Sequence, residues 1–474
     1  MIWEVAWRAR AVLSVFVTLH VLRTKREIGA AIGWIGLAWL APITGTVLYA
    51  MFGVNRVRRL ARRLSRQRRW SSRFVVSTGQ RVLTDDYALL SEAVGRLTGR
   101  PLLGGNAMER FENGDEAYPP MLRAIEDARS TVLMCSYLFH DDAVGGRFVD
   151  ALVAAHRRGV RVRVMVDGIG SGYLRCRAAA RLRAGGVPCA RFMHSLLPWR
   201  MPFINLRTHK KILVVDGRIG FTGGMNIAGE NLLAAKPAHP VSDTHFLLRG
   251  PVVHQLSEAF AKDWSFCTGR EIDEPEFFPE QAPAASEDGA GSGEGALMRV
   301  VTSGPDSDVE KIEFAVMQAV TIARRSVRIM TPYFLPDERL LTAIAMAAMR
   351  GVEIDVVMPE QSNQKPVDWA RDPNNRPLLD AGVRLWLARP PFNHSKLMAV
   401  DGRWALIGSS NMDVRSLRLN FELNVEVYDE AAAAEIDTFI RAHRHRRQTH
   451  HDLDKRSFPV RLRDSGARLM LPYL

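Results

Sequence analysis

One pattern of His, Lys and Asp occurs twice in this chain, and the duplication is the feature that most constrains its fold. The pattern H-x-K-x-x-x-x-D spans residues 209–216 and again 394–401, and its members are His209, Lys211, Asp216, His394, Lys396 and Asp401. In each copy the His and the Lys are two residues apart on a segment rich in β-branched and apolar residues. Because side chains alternate along a strand, both should project from one face. A nucleophile beside a fixed positive charge suits phosphoryl transfer.

The segments around the two motifs are also similar to each other. Residues 128–137 match residues 323–333, and residues 159–166 match residues 351–358. A match that recurs at a near-constant separation indicates an internal duplication. Each half alternates helical and strand patterns, which predicts an α/β fold with helices on both faces of a mostly parallel sheet.

Several further phrases carry a resemblance to a known family. They are Asn113–Pro120, Gly223–Asn226, Thr331–Pro336, Gly408–Ser416, Asn420–Asn424 and Ala467–Leu474. With the doubled motif, they make the chain similar to the phospholipase D superfamily and, within it, to the bacterial cardiolipin synthases. The resemblance covers nearly the whole chain. It implies two duplicated phospholipase D-type α/β/α sandwich domains that form a pseudo-twofold active site, preceded by an N-terminal membrane helix region.

The resemblance also implies roles for the motif residues. His209 is expected to attack phosphorus and form a phosphohistidine, while His394 protonates the leaving alcohol and later deprotonates the incoming one. The sequence alone leaves the order of the two histidines open. The groups expected to hold the phosphate oxygens are Lys211, Lys396, Asn226 and Asn411. These anchors take the place of a metal, so neither a metal nor a cofactor is expected.

Carboxylates should orient the two imidazoles. We expect Glu422, which opens an alternating stretch in the second half, to bind the Nδ1 proton of His394. Asp243, which opens the comparable stretch in the first half, should bind that of His209. Asp216 and Asp401 each precede a glycine, so bracing of a turn competes with a catalytic role. Glu230 is a candidate substrate contact, with a surface carboxylate as the alternative.

Residues 1–55 are predicted to form a membrane anchor of one or two apolar segments. Residues 28–53 carry no charge and are long enough to span a bilayer, with Pro42 as a point of kinking; a buried core helix is the alternative. Residues 11–22 are too short to span alone. They either extend back to Ile2, despite the charges of Glu4, Arg8 and Arg10, or form an interfacial or re-entrant segment. A signal peptide fits less well, because basic residues follow at once without a small-residue cleavage site.

The net charge of +13 predicts anionic partners. Arginines dominate residues 56–69, directly after the apolar segment, and no acidic residue lies between this run and Asp85. The positive-inside bias therefore places the catalytic domains on the cytoplasmic side of the bacterial inner membrane. The same position makes a membrane surface a better partner for this run than nucleic acid, which is not expected.

The remaining boundaries follow from composition and from the repeat. Residues 56–105 are predicted to be a basic juxtamembrane segment, 106–270 the first phospholipase D-like domain and 297–450 the second. Residues 271–296 are acidic and rich in Pro, Gly, Ser and Ala, which predicts a flexible linker. For the tail, residues 451–474, docking on the core and contact with the membrane interface both remain open.

The predicted function is that of a cardiolipin synthase: transfer of a phosphatidyl group from one phosphatidylglycerol to another, with release of glycerol. A phospholipase D that passes the group to water uses the same chemistry. A nuclease of the superfamily is a weaker alternative, suggested only by the charge, and two complete motifs argue against an inactive scaffold. The sequence leaves the acceptor alcohol and the oligomeric state open.

Overall fold

The computed structural model describes residues 2–24, 28–53, 83, 86–194, 206–279, 295–304, 308 and 310–469. The chain divides into two compact units. Among the described residues, the smaller unit holds 2–24 and 28–53, and the larger unit holds the rest. The arginine-rich run at residues 56–69 lies outside the described part of the chain.

The smaller unit contains α1 (Ile2–Thr24), α2 (Ile28–Leu40), α3 (Pro42–Leu48) and a π-helical turn (Tyr49–Gly53). The apolar stretch 28–53 is thus divided at Ala41, because the following proline disfavours helical backbone in the residue before it. The helices contact one another through Val17, Val21 and Tyr49, and Ser14 Oγ donates to the carbonyl of Ala38 at 2.6 Å. Among the residues that the structure describes, no helix is both long and apolar enough to cross a membrane.

The larger unit begins with helices and strands that surround the first motif. In chain order they are α4 (Asp86–Thr98), β1 (Leu103–Glu112), α5 (Asn113–Glu126), β2 (Thr131–Ser136), α6 (Ala143–Arg157), β3 (Arg161–Asp167), α7 (Arg177–Ala184), β4 (Cys189–Phe192), β5 (Ile212–Val215), β6 (Ile219–Gly223), β7 (Val241–Ser242), β8 (Thr244–Arg249) and α8 (Val252–Thr268).

A second set of elements surrounds the second motif. It comprises β9 (Ala296–Ser303), α9 (Lys311–Ile322), β10 (Ser326–Met330), β11 (Phe334–Leu335), α10 (Glu338–Met349), β12 (Glu353–Pro359), α11 (Lys365–Asp380), β13 (Arg384–Ala388), β14 (Phe392–Asn393), β15 (Leu397–Val400), β16 (Trp404–Gly408), β17 (Met412–Asp413), α12 (Val414–Arg418), β18 (Glu422–Tyr428), α13 (Glu430–Ala442), β19 (Arg446–Gln448), α14 (His450–Asp454) and α15 (Phe458–Arg468).

The strands of both repeats join in a 15-stranded sheet with the order β19-β13-β12-β10-β15-β16-β18-β9-β1-β8-β6-β5-β2-β3-β4. The antiparallel pair β1–β9 joins the halves, and the strand order on either side of it is the same outward, so the repeats are related by a pseudo-twofold axis. Among the described strands of this sheet, β2-β3-β4 and β10-β12-β13 are parallel and the other neighbours are antiparallel. The prediction of a mostly parallel sheet is therefore wrong, because the motif strands β5 and β15 return antiparallel and continue into hairpins.

Two described segments pack differently from what their composition suggests. In α4, within the segment predicted to be juxtamembrane, Tyr87 and Leu90 are buried in the core of the second repeat. Ile272 and Phe277, at the start of the predicted linker, are buried against the sheet, because their apolar side chains outweigh the polar composition around them. Residues 280–294 of that linker lie outside the described residues. In the tail, α15 packs on α11.

Candidate active site

The pseudo-twofold axis brings the two motif histidines next to each other. His209 and His394 are buried, their ring centroids are 6.2 Å apart, and their planes lie at 80°. Lys211 Nζ donates to the carbonyl of His209 at 2.7 Å, and Lys396 makes the same contact with His394. The structure therefore joins the two predicted half-sites in one centre, with two imidazoles and two ammonium groups.

Each histidine is anchored to the backbone of the other repeat. The amide of His209 donates to the carbonyl of Phe421 at 2.9 Å, and the amide of His394 donates to that of Ser242 at 2.7 Å. The latter contact continues the pairing of β7 with β14. Phe421 and Ser242 immediately precede Glu422 and Asp243. Each repeat thus delivers a carboxylate to the histidine of its partner.

The orienting carboxylates bind the opposite histidines from those predicted. Glu422 Oε2 accepts from His209 Nδ1 at 3.1 Å, and Asp243 Oδ2 accepts from His394 Nδ1 at 2.8 Å. The pairing of each carboxylate with the histidine of its own repeat is wrong. Position along the chain gives no sign of the crossing, which arises because β8 and β18 lie beside the boundary between the repeats.

The carboxylates fix the tautomer of the rings. An ionised carboxylate only accepts, so Nδ1 carries the proton and the Nε2 lone pair is available for attack. Glu422 is held in turn by Ser409 Oγ and Ser416 Oγ, each at 2.5 Å. Thr244 N donates to Asp243 Oδ1 at 2.8 Å. These contacts restrict both carboxylates to one orientation.

Burial dominates the electrostatics of the centre. It lowers the pKa of His209, against the opposing effect of Glu422, and lowers that of His394 to about 3. It also lowers the pKa of Lys211 to about 8 and that of Lys396 to about 7. A buried ammonium without a bound anion is destabilised by the loss of hydration. The centre is therefore suited to bind an anion, whose negative charge would favour the protonated, positively charged form of both lysines.

The two carboxylates remain ionised for the opposite reason. Burial by itself would raise the pKa of Asp243, but His394 and Lys396 lower it below its usual range. His209 and Lys211 do the same for the pKa of Glu422. Both carboxylates can therefore stabilise a positive charge that develops on the imidazoles during a reaction.

Asp216 and Asp401, the last members of the motifs, lie at the far ends of β5 and β15. Both have left-handed backbone, with φ of 52° and 54°. Asp216 Oδ1 accepts from Ser130 N at 2.8 Å and from Thr131 N at 2.9 Å. Asp401 accepts in the same way from the three amides of residues 324–326. The structure does not bring these carboxylates to the histidines; they join each motif hairpin to the strand beside it.

A cavity of about 430 Å³ opens onto the paired histidines. Among the predicted site residues, Asn226, Asn411 and Asp243 line it together with the two rings, and so does Glu230. Asn226 Oδ1 accepts from the amide of Leu138 at 3.3 Å. The cavity gives an elongated substrate access to the buried centre, and its polar lining suits a headgroup more than an acyl chain.

Residues outside the motifs also line this cavity. The sequence predicts Tyr333 at a lipid entrance, with aromatic core packing as the alternative, and Arg415 as an aid to phosphate binding, but it does not single out Tyr137. Tyr137 lies edge-on to His209 with ring centroids 4.9 Å apart, and Tyr333 is 6.4 Å from His394. The sequence contains a pattern that marks both tyrosines, because they end matching segments of the two repeats. No sequence pattern marks Asn363 and Gln364. They reach the cavity because they follow β12, at the edge of the sheet where the parallel strands end.

Equivalent positions of the two repeats place unlike charges around the cavity. Two residues before each histidine stand Arg207 and Phe392, and four residues after each asparagine stand Glu230 and Arg415. Both arginines lie close enough to Tyr137, whose ring contacts His209, to oppose the rise in its pKa that burial causes.

Glu230 lies on the other side of the cavity. Burial raises its pKa, and the nearby charge of Asp243, which binds His394, adds to the rise. The catalytic groups are thus nearly symmetric, while their surroundings are cationic beside His209 and acidic beside His394.

Comparison with known proteins gives the family. The family model described as "Cardiolipin synthase, PLD-like domain" matches residues 121–264 and 316–443. A cardiolipin synthase of Geobacillus kaustophilus is 31% identical over 97% of this chain and 92% of its own length. Cardiolipin synthase A of Pseudomonas aeruginosa is 33% identical over 91% and 87%.

The fold is similar to that of a solved structure as well. A phosphatidylserine synthase from Haemophilus influenzae superimposes with a TM-score of 0.61 at 15% identity, covering 81% of this chain and 100% of that one. At this identity the likeness concerns the fold alone. Together with the sequence matches over nearly the full length, it leads to one assignment: the chain belongs to the family of cardiolipin synthases with phospholipase D-like domains.

Proposed function

We propose that this protein transfers a phosphatidyl group from one phosphatidylglycerol to another, forming cardiolipin and releasing glycerol. The observation that carries the proposal is the pair of buried histidines, with ring centroids 6.2 Å apart, each bound to a carboxylate and each with a lysine ammonium on its carbonyl. Relatives named cardiolipin synthase that match over nearly the full length support the choice of substrate.

In the first half-reaction His209 acts as the nucleophile. Its Nε2 attacks phosphorus, the bond from phosphorus to the glycerol oxygen breaks, and His394 gives a proton to that oxygen. Burial disfavours a protonated His394. The negative charge of a bound phosphodiester favours it, and Asp243 stabilises the imidazolium through Nδ1.

In the second half-reaction the roles reverse. His394 takes the proton of a hydroxyl on the second phosphatidylglycerol, whose oxygen then attacks phosphorus. The bond from phosphorus to His209 Nε2 breaks, and cardiolipin leaves. Lys211, Lys396, Asn226 and Asn411 stabilise the phosphate oxygens throughout, as preorganised donors in a site that excludes most water.

The two sides of the cavity suit the two kinds of group that a phosphatidylglycerol presents. Beside His394, the carboxylate of Glu230 and the amides of Asn363 and Gln364 can bind the hydroxyls of a glycerol headgroup. Beside His209, Arg207 and Arg415 add positive charge near the phosphatidyl group that the histidine carries. An alcohol held in this way competes with water for the intermediate.

The proposal includes the membrane. Residues 1–55 anchor the protein, and the arginines of residues 56–69 hold it against anionic lipid on the cytoplasmic side of the bacterial inner membrane. Uncharged residues at 28–53 and the exposed apolar side chains of Ile32, Trp39 and Ile43 support this role.

The test is a product assay on the detergent-purified protein. Phosphatidylglycerol labelled in the headgroup and in the acyl chains is supplied, and the lipids are separated. Cardiolipin with released glycerol is expected, and phosphatidic acid alone would replace the proposal with a phospholipase D. His209→Ala and His394→Ala should abolish both products, whereas His451→Ala, at an exposed surface histidine, should retain them.

A further inference from the structure

The C-terminal helix α15 presents an apolar face to solvent. Phe458, Leu462 and Leu469 are 69%, 63% and 83% exposed. Their spacings are four and seven residues, so at about 100° per residue their side chains lie within an arc of about 40°. Three large apolar side chains on one stripe differ from the single exposed ones that any surface carries.

Polar contacts fix the opposite side of this helix to the protein. Asp464 is 1% exposed and accepts from Arg463 at 2.7 Å and from Arg456. Arg456 in turn binds Asp372 of α11 at 2.6 Å. Because buried charges are paired only in this orientation, α15 cannot turn its apolar stripe inward without leaving Asp464 unpaired.

The helix lies next to the active-site cavity. Ala467, on the inner side of α15, packs against a cluster that includes Tyr333, Val367 and Phe392. All three of these residues also line the cavity. A surface that receives the outer stripe of α15 would therefore be close to the opening through which a headgroup reaches the histidines.

The borders of the stripe indicate the chemistry of that surface. Arg461 and Arg468 are exposed on the same helix and lie about 60–80° from Phe458 along its circumference. An apolar stripe with arginines beside it is typical of helices that lie in the plane of a bilayer containing anionic lipid.

We propose that the outer face of α15, formed by Phe458, Leu462 and Leu469 with Arg461 and Arg468 at its border, docks on a bilayer surface that contains anionic phospholipid. The docking holds the cavity at the depth of the headgroups and supplies the active site from the plane of the membrane. It rests on the proposed function only in that the substrate is a membrane lipid.

A fluorescence experiment tests the contact without relying on catalysis. In the full chain, with Cys189 and Cys267 replaced by serine, Leu462→Cys carries an environment-sensitive dye. The matched control is Leu89→Cys, at an apolar residue 59% exposed on α4. This helix is at the other end of the second motif strand from His394, since Tyr87 contacts Asp401.

Vesicles with phosphatidylglycerol should shift the emission at position 462 to the blue, and lipids brominated in their acyl chains should quench it. Position 89 should show neither effect. A water-exposed spectrum at position 462 in protein that is active on the same vesicles would overturn the proposal. So would a blue shift that brominated lipid does not quench, because a protein partner or a second copy would then cover the stripe.

A kinetic comparison gives a second, independent test. The variant Phe458→Gln/Leu462→Gln/Leu469→Gln is expected to lose at least about ten-fold in rate on vesicles at low lipid concentration, because interfacial binding scales with buried apolar area. Its rate on short-chain phosphatidylglycerol in detergent should stay within about two-fold of the original.

The matched control for this variant is Leu89→Gln/Met349→Gln, which removes exposed apolar side chains elsewhere and should lose neither rate. An equal loss on both substrates would overturn the docking. Absence of transfer in the unaltered protein would instead refute the proposed function and leave the fluorescence result standing.

Discussion

The crossed carboxylates make a sharp prediction about Glu422→Gln. The substitution keeps the size of the side chain and removes the charge that faces His209 Nδ1 at 3.1 Å. When His209 attacks phosphorus its ring becomes cationic, and Glu422, 0% exposed, stabilises that charge. Two unit charges about 4 Å apart at an effective dielectric constant of about 20 interact by about 4 kcal/mol. The loss corresponds to a rate about 10³-fold lower.

The rate of the first half-reaction is the appropriate measurement. Rapid-quench release of labelled glycerol reports formation of the phosphatidyl-enzyme before any acceptor is used. Ser409 Oγ donates to Oε2 of Glu422 and Ser416 Oγ donates to Oε1; a glutamine keeps one of these acceptors and presents an NH2 donor at the other, for which the serine hydroxyl can act as the acceptor. The fold should therefore persist, which thermal unfolding checks. A folded Glu422→Gln protein slowed by less than about ten-fold would refute this account of the charge.

The pairing of each carboxylate with the histidine of the other repeat has a separate spectroscopic test. An Nδ1 proton shared with a carboxylate gives a downfield resonance, which His209→Asn and His394→Asn variants can assign. Glu422→Gln should move the resonance of His209 upfield, because the carbonyl of Ser409, 3.0 Å from Nδ1, then remains as its acceptor, and should leave that of His394 unchanged. The matched variant Asp243→Asn should remove the resonance of His394 and leave that of His209. Loss of the His394 resonance in Glu422→Gln would show that each carboxylate serves its own repeat.

Four further outcomes are expected. Because only an ammonium holds a phosphate, kcat/KM should fall as the pH rises past the pKa values of Lys396 (about 7) and Lys211 (about 8), and a profile that stays flat at alkaline pH would contradict this. Lys396→Met should abolish turnover yet raise the melting temperature at neutral pH. The folded site loses the lysine proton near pH 7 and the unfolded chain only near pH 10.4, so the destabilisation by this lysine is full below about pH 7 and is lost as the pH rises to about 10.4; a lower melting temperature would contradict it. Asp216→Asn should lower the free energy of unfolding by about 2 kcal/mol, the worth of hydrogen bonds to a charged group, and leave kcat within about three-fold; the opposite pattern would indicate a catalytic role. Glu230→Gln should lower the ratio of cardiolipin to phosphatidic acid by about three- to ten-fold while glycerol release continues, and an unchanged ratio would remove this carboxylate from the alcohol site.

Local pattern predicted much of this molecule. The doubled spacing of His and Lys, with apolar residues after each, predicted both groups on one face of a strand, from the two-residue period of extended chain alone. In the structure each pair stands immediately before its strand, since β5 begins at Ile212 and β15 at Leu397. The alternation of helix and strand predicted an α/β fold with a duplicated domain, which the strand order of the two repeats confirms. Such features depend on neighbours in sequence, so one chain is enough to find them.

The direction of the strands was harder to predict from the sequence. The sequence favoured a mostly parallel sheet, because helices separate most of its strands. The motif strands instead form antiparallel hairpins through the turns at Asp216 and Asp401, whose left-handed backbone only the structure shows. The same turns decide the role of the two carboxylates, which bind backbone amides of an adjacent strand rather than a substrate.

The sequence by itself therefore determined that two His-Lys pairs exist and that a single centre needs both. The tertiary structure decided which carboxylate serves which histidine, because Phe421 and Ser242 carry the pairing across the boundary between repeats. It also decided which side of α15 faces outward, through the burial of Asp464. Both outcomes depend on contacts between residues far apart in the chain. Register and pseudo-twofold packing set such contacts, and no period within a single element encodes them.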